Sequence, residues 1–301
     1  MLINFISGDE SMGCAKGSIS SLRRRSSQFL SISDRRLLRL RRTGLLDLPA
    51  GGNYELGFVK TTSGFVEACR LVHDRYMEMG LIDKQVSGLW ITPYHLNKDS
   101  KAVVGIMRIY GRAVSSATLV QDSDIGLPSE RVYPKEIAKL KEDGRRVVEI
   151  TSLAAAPCRE APNAFLYALK LLGVYAVALG CEDLVISIHP KHARFYEDIF
   201  LFEPLGPVRE YPGLKNAPAQ LERQDLTTFV SRLKAAYQHF PGFANLYEFY
   251  LGKNESFLNK IRQLIAENKL TPITENWPSG MLIGVDHDTN LDASSNNLIF
   301  V

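Results

Sequence analysis

One stretch of the chain decides the fold, and it reads Val147-Val148-Glu149-Ile150-Thr151-Ser152-Leu153-Ala154. This β-rich run is followed by an apolar helical pattern over residues 163–179 and by a second β-rich run over residues 184–189. Two strands joined by one helix of this length require a right-handed crossover, which makes them a parallel pair. We therefore predict an α/β (α+β) protein whose mixed, otherwise antiparallel sheet has a parallel pair at its core.

Weaker patterns on both sides of this pair predict the other elements and the division of the chain. We expect a strand over 54–61, a helix over 63–80, a hairpin of the runs 89–96 and 102–110, helices over 135–142 and 192–200, and a strand over 219–225. The expected segments are a basic arm over 1–53, a core over 54–226, a helical appendage over 227–270 and a tail over 271–301.

The composition is that of an ordinary globular protein. The 301 residues are 45% apolar and 23% charged, which excludes disordered and low-complexity chains. Four widely spaced cysteines without a CxxC pair predict reduced thiols. The longest apolar stretch, residues 165–180, is too short for a membrane span and contains Lys170, and no secretion signal is visible. We expect a cytoplasmic protein.

The positive charge is concentrated in the arm. Residues 16–43 contain nine Lys and Arg residues against one acid, Asp34, and we expect Asp34 to N-cap a helix over 34–42 that places Leu37, Leu38 and Leu40 on one side. Such a segment suits an anionic partner, either an acidic protein or the inner face of a membrane. Nucleic acid is disfavoured, because no aromatic residues interleave the arginines. The alternative is a solvated leader without a partner.

The order of elements and three motifs resemble a known family. The motifs are residues 147–154, His189-Pro190-Lys191-His192-Ala193-Arg194-Phe195-Tyr196, and Phe202-Glu203-Pro204-Leu205-Gly206. They resemble the long-chain N-acyl amino acid synthases, which have the Gcn5-related N-acetyltransferase fold and are similar to acyl-homoserine-lactone synthases. The resemblance covers roughly residues 54–226. It implies transfer of a fatty acyl group from acyl carrier protein to the α-amine of an amino acid.

The residues themselves also favour a carrier protein over coenzyme A as the donor. Acetyltransferases that use coenzyme A hold its pyrophosphate in a glycine-rich loop after the first splayed strand. The corresponding residues 157–164 contain no glycine, and Pro157 and Pro162 have no N–H to donate. We expect the acyl-phosphopantetheine of the carrier as donor, no tightly bound cofactor, and carrier docking at Lys191 and Arg194.

Glu149 is the candidate general base. As a carboxylate on an apolar strand, it gains a raised pKa from burial, and we expect it to share a face with Val147, Thr151 and Leu153. A backbone amide near Leu153 and Ala154 would stabilise the oxyanion. The alternative is a structural Glu149 anchored by an arginine such as Arg108, which is otherwise a candidate substrate-binding residue together with Thr151.

Other candidates carry an alternative of similar weight. His189 binds the amino-acid carboxylate or relays a proton, or it only begins a helix; Tyr196 protonates the leaving thiolate, or it is a core aromatic. Phe165, Leu169 and Leu172 line an acyl tunnel, or they belong to an ordinary buried helix. The HxxH at 189–192 is not expected to bind metal, because this junction does not align both rings. Cys158 is expected to be an ordinary thiol.

Two other functions compete with the synthase. One is a catalytically idle, acyltransferase-like adaptor that binds an acylated carrier or a membrane surface, and the long flanks of the chain keep this possibility open. The other is acetylation from acetyl-coenzyme A, which the missing glycine loop disfavours. Glu149 on the expected strand favours the enzyme over the adaptor.

Overall fold

The computed structural model describes residues 31–43, 46, 54–97, 101–267 and 269. The helices are α1 Ile32–Thr43, α2 Thr62–Glu78, α3 Pro93–Leu96, α4 Pro134–Glu142, α5 Ala164–Ala178, α6 Pro190–Phe200, α7 Leu226–Tyr237, α8 Leu246–Leu251 and α9 Ser256–Ala266. The strands are β1 Tyr54–Phe58, β2 Ala102–Ile109, β3 Arg112–Gln121, β4 Val147–Ala155, β5 Asp183–Ile188, β6 Glu203–Pro204, β7 Arg209–Tyr211 and β8 Ala217–Asp225. A short 3-10 turn, Pro128–Arg131, precedes α4. The expected tail over 271–301 lies outside the described residues.

The strands form one mixed sheet in the order β1-β2-β3-β4-β5-β8-β6, with β7 paired to β8. Strands β4 and β5 are parallel, and the other pairs of this sheet are antiparallel. The predicted fold class and its parallel pair are therefore confirmed.

The parallel pair is held together only at its amino end. Residues 147–149 of β4 pair with residues 183–185 of β5, and beyond Glu149 and Val185 the two strands continue unpaired with each other. At the paired end the fully buried Asp183 accepts hydrogen bonds from Arg145 and Arg223. The strands therefore diverge toward their carboxyl ends, and we call the space between them the gap.

A bulge in β4 contradicts one expectation about which side chains share a face. Ser152 has a positive φ of 50°, and the β3–β4 register shifts between Ser116 and Thr118. The extra residue reverses the alternation of side chains. Leu153 consequently packs in the same cluster as Ile150, on the face opposite Glu149.

Helices cover both faces of the sheet. On the first, which we call the α5 face, β4 packs against α5 and the helices that follow it along the chain. On the second, the Glu149 face, helices α2 and α3 and the 3-10 turn cover β2, β3 and β4. None of the helices in the described part of the chain combines the length and the apolar character that a membrane span requires.

The predicted hairpin of runs 89–96 and 102–110 is wrong. Pro93 begins the short helix α3, because proline fits the first helical turn but cannot donate to a strand ladder. The partner of β2 is instead β3, across a tight turn in which Tyr110 and Gly111 have φ values of 49° and 76°. A turn with two positive φ values matches the twist of a two-residue hairpin.

The ordered part of the arm lies against the body. Helix α1 begins with a capping box in which the Ser31 hydroxyl accepts the Asp34 N–H at 3.1 Å and the Ser31 N–H binds the Asp34 carboxylate at 3.2 Å, so the expected N-cap at Asp34 is wrong by three residues. Leu40 is fully buried in the core cluster of the α5 face, whereas Leu38 is 51% exposed. Part of the segment 1–53 therefore contributes to the core cluster of the α5 face, and the division of the chain at residue 54 stays a prediction.

The predicted helical appendage packs on the same face. Leu246, Tyr250, Leu251, Leu258 and Ile261 are buried in one cluster with α5. The appendage therefore covers the side of α5 that faces away from the sheet.

The burial of Leu40 gives a direct test of how α1 is attached. We expect Leu40→Ala to lower the free energy of unfolding by about 2–4 kcal/mol, since it leaves a cavity in the core. The matched control Leu38→Ala, two residues earlier on the exposed side, should change it by less than about 0.5 kcal/mol. Urea denaturation measures both values. Equal effects of the two substitutions would show that α1 does not pack on the body.

Candidate active site

The side chain of Glu149 is fully buried at the point where β4 and β5 separate. The Ser129 N–H donates to Glu149 Oε2 at 2.8 Å, and the Ser129 hydroxyl donates to Glu149 Oε1 at 2.6 Å. Ser129 belongs to the 3-10 turn that begins at Pro128. Arg108 does not anchor Glu149, because its guanidinium pairs with Glu67 at 2.7 Å.

Burial raises the pKa of Glu149 to about 7, and the two hydrogen bonds from Ser129 oppose that rise. Removing a carboxylate from water disfavours its charged form, while donors aimed at its oxygens favour that form. Near neutral pH both protonation states are therefore populated. A carboxyl group in this condition can accept a proton and also return one.

A hydrogen-bonded chain leads from Glu149 to the gap. The hydroxyls of Ser129 and Ser187 lie 2.6 Å apart. Ser187 is on β5, two residues beyond Val185, where β5 has already left β4. The three side chains thus connect the carboxyl group on β4 with the unpaired part of β5.

Aromatic residues cover the Glu149 face beside this chain. The rings of Tyr76 and Trp90 lie 5.5 Å apart, and Tyr211 donates from its hydroxyl to the Pro128 carbonyl at 3.4 Å. Burial raises the pKa of Tyr94 well above its usual range, and the nearby carboxylate of Glu149 adds to that rise. These phenols therefore stay protonated, and the enclosure around Glu149 is largely apolar.

Three hydroxyls at the carboxyl end of β4 are buried without a hydrogen-bond partner among the described residues: Ser115, Thr151 and Ser152. Ser115 lies opposite Ala155 on the neighbouring strand. Buried polar atoms are normally paired, so an unpaired hydroxyl on β4 beyond its last pair with β5 is available to a polar ligand. Thr151, a predicted substrate-binding residue, carries one of the two such hydroxyls on β4.

Histidine 189 occupies the end of β5 and N-caps α6. Its Nδ1 accepts the N–H of Lys191 at 3.2 Å, and partial burial lowers the pKa of the ring. A ring nitrogen that accepts a backbone N–H is unprotonated, which leaves Nε2 as the donor. These contacts agree with the interpretation that His189 begins helix α6. The role of His189 toward a substrate stays a prediction.

Tyrosine 196 lies in an aromatic cluster on the α5 face. Its ring is 5.5 Å from that of Phe200 and 5.8 Å from that of Phe202, and its side chain is fully buried. Glu149 faces the other side of the sheet, so the structure does not bring the two predicted catalytic residues into contact. The role of Tyr196 as an acid stays a prediction.

The remaining candidates lie on or near α5 and α6. Phe165, Leu169 and Leu172 are buried on the α5 face, where an acyl tunnel stays a prediction. Ala154 returns to the Glu149 face after the bulge, in the cluster that contains Trp90. Lys191 and Arg194 have exposed side chains in the first turn of α6.

The sequence-based reasoning missed Ser129 and Ser187. Ser187 had a readable signal, since it is the polar residue within the apolar run 184–188, on the same alternation as Val185. Ser129 had none, because its contact with Glu149 spans twenty residues of chain and depends on a loop.

A family model and a solved structure that match this chain are both described as N-acyl amino acid synthases. The family described as N-acyl amino acid synthase FeeM matches residues 67–225. The structure of FeeM, an N-acyl amino acid synthase from uncultured soil microbes, is 22% identical and superposes with a TM-score of 0.51 over 59% of this chain and 93% of that one.

Two structures of acyl-homoserine lactone synthases are more distant. LasI is 13% identical, with a TM-score of 0.44 over 57% of this chain and 89% of its own. BjaI, a coenzyme A-dependent synthase with SAM and isopentyl-CoA, is 16% identical, with a TM-score of 0.41 over 56% and 80%. The search of curated proteins finds no match.

The raised pKa of Glu149 predicts how stability varies with pH. Since its pKa rises from 4.5 to about 7 on folding, the folded protein binds an extra proton between these values. Relative to Glu149→Gln, the wild type should therefore lose about 3 kcal/mol of unfolding free energy as the pH rises from about 4.5 to about 7. Urea denaturation of both proteins across this range measures the difference. The opposite trend would mean that the Ser129 hydrogen bonds outweigh burial.

Proposed function

Because the chain belongs to the FeeM family of N-acyl amino acid synthases and is an acyltransferase, we propose that it transfers a fatty acyl group from acyl carrier protein to the α-amine of an amino acid. The observation that carries this proposal is the buried Glu149, whose pKa is about 7 and whose hydrogen bonds lead through Ser129 to Ser187 at the gap. An idle adaptor has no need for such a carboxyl group, so the enzyme is favoured over the adaptor.

The gap is where the donor binds in this proposal. Beyond Glu149 and Val185 the facing edges of β4 and β5 have no partner in each other, so their N–H and C=O groups are available to the amides of a phosphopantetheine arm. The buried hydroxyls of Thr151 and Ser152 lie along the same stretch of β4. In this placement the thioester carbon lies beside Glu149, where β4 and β5 separate.

The reaction then needs one proton moved from nitrogen to sulfur. The amino acid's ammonium group first loses a proton to solvent, and the neutral amine attacks the thioester carbon while Glu149 takes the second N–H proton, directly or through Ser129 and Ser187. The developing oxyanion is stabilised by a backbone N–H of the bulged segment near Leu153 and Ala154. When the C–S bond breaks, the proton held by Glu149 neutralises the phosphopantetheine thiolate, and the amide product is released.

The loop after β4 supports a carrier-bound donor over coenzyme A. The Ala161 N–H donates to the Cys158 carbonyl at 3.2 Å, and the Ala164 N–H donates to the Ala161 carbonyl at 3.1 Å. Pro157 and Pro162 have no N–H. The N–H groups of Ala161 and Ala164 are therefore already bonded within the loop and are not available to a pyrophosphate group.

Glutamate 222 provides a matched control for the catalytic test. It is also fully buried on a strand, and burial raises its pKa to about 8, but it lies opposite Ile186 of β5, whose side chain packs on the α5 face. Glu222 accepts a hydrogen bond from Gln220 at 2.8 Å. Its chemical character thus resembles that of Glu149 while its position does not.

We expect Glu149→Gln to keep the fold and to slow acyl transfer by about two to four orders of magnitude, as the loss of a positioned base does. Glu222→Gln should retain transfer within about threefold. In the wild type the rate should rise with pH through about 7, because the basic form of Glu149 is the carboxylate. Single-turnover transfer to a panel of amino acids, followed by mass spectrometry, measures these rates. Near-wild-type turnover in Glu149→Gln would remove this residue from the mechanism.

The donor assignment has its own test. We expect kcat/KM for an acylated carrier protein to exceed that for the same acyl group on coenzyme A at least about tenfold, because the loop after β4 lacks the pyrophosphate donors. The two donors are compared in one assay at equal concentration. Equal efficiency would overturn the carrier assignment and leave the acyltransferase standing.

A further inference from the structure

Two arginines of helix α1 contact α6 with their side chains. Arg36 donates from Nε to the Asp198 carbonyl at 2.7 Å, and the Arg39 guanidinium lies 5.1 Å from the centre of the Phe195 ring. Arg36 thus reaches Asp198, and Arg39, three residues later in α1, reaches both Asp198 and the earlier residue Phe195. The carboxyl end of α1, with the exposed Arg41 and Arg42, consequently lies toward the first turn of α6.

The first turn of α6 is at the mouth of the gap, because α6 begins immediately after β5 ends. Lys191 and Arg194 are exposed there, and the side chain of Arg194 is 80% exposed. We group them with Arg39, Arg41 and Arg42 of α1, which lie at the end of α1 that is directed toward the first turn of α6. We call these five residues the basic rim.

We propose that the basic rim is the docking surface for acyl carrier protein, so that a helix outside the family-matched residues 67–225 supplies three of its five residues. This inference rests on the proposed function. Carrier proteins are acidic, and the phosphopantetheine arm has to enter the gap from the edge that the rim surrounds. A charge of opposite sign at that place steers the encounter and fixes its orientation. An anionic membrane would also attract the rim, but the position at the gap favours the carrier.

Asp198 limits the positive charge of the rim. Its carboxylate lies 3.5 Å from Arg39 and 3.7 Å from Arg194, so one acid faces a member of each helix. Both ion pairs are exposed, and pairs of this kind contribute little to stability. Because Arg36 binds the backbone carbonyl of Asp198, that anchor of α1 remains when the side chain is changed.

The experiment compares changes of opposite sign on the full-length protein. The double variant Arg41→Gln/Arg42→Gln should raise the KM for an acylated carrier about fivefold at low salt, leave kcat unchanged and weaken the salt dependence. The control Lys135→Gln/Lys139→Gln removes the same charge from exposed positions on α4 and should leave KM unchanged. Asp198→Asn should lower KM about twofold, a gain that damage to the fold cannot produce.

Direct binding separates this inference from the proposed function. Fluorescence anisotropy with a labelled acylated carrier measures affinity whether or not transfer occurs, and flotation with vesicles containing anionic lipid measures the alternative. Weaker carrier binding by Arg41→Gln/Arg42→Gln and tighter binding by Asp198→Asn support the rim even if no amino acid is acylated. Carrier affinity equal to that of the control, absence of carrier binding by the wild type, or loss of vesicle binding alone would overturn it.

Discussion

The three residue pairs between β4 and β5 are the constraint on which the site depends. Asp183 holds their amino end, where Arg145 and Arg223 compensate a carboxylate that is completely out of water. A buried charge without such partners would be very costly, so this end is firmly closed. The bulge at Ser152 increases the local bend of β4. The two strands therefore separate at a fixed point. Glu149 belongs to the last residue pair before that point.

The character of Glu149 follows from two opposing effects, of which burial is the larger. Burial disfavours the carboxylate, and the N–H and hydroxyl of Ser129 favour it. Because the hydrogen bonds offset only part of the effect of burial, the pKa rises to about 7 and no further. The same serine that moderates the pKa also extends the hydrogen bonds to Ser187, so proton affinity and proton path are set by one residue.

The sequence predicted the local elements better than the long-range ones. The helices over 134–142 and 164–178 and the strands at 147–155 and 183–188 follow from periodicity, which is a local property. The hairpin was misassigned because the apolar run before Pro93 resembles a strand. The prediction that Leu153 shares a face with Glu149 was wrong because the alternation of side chains in the sequence does not reveal a bulge. Glu149 was identified from its apolar surroundings. Ser129 was not, since only the folded chain brings it to the carboxyl group.

The C-terminal helices change what counts as a folding unit in this protein. Helix α5 is buried along most of its length, and the Nζ of Lys170 lies 4.9 Å and 4.5 Å from the ring centres of Phe249 and Phe257, in surroundings that lower its pKa to about 8. A fragment that ended with the family-matched segment at residue 225 would present the outer side of α5 to water as a broad apolar patch. Family boundaries drawn from sequence similarity therefore cut through a single core here, and recombinant expression of the acyltransferase core calls for the chain through α9.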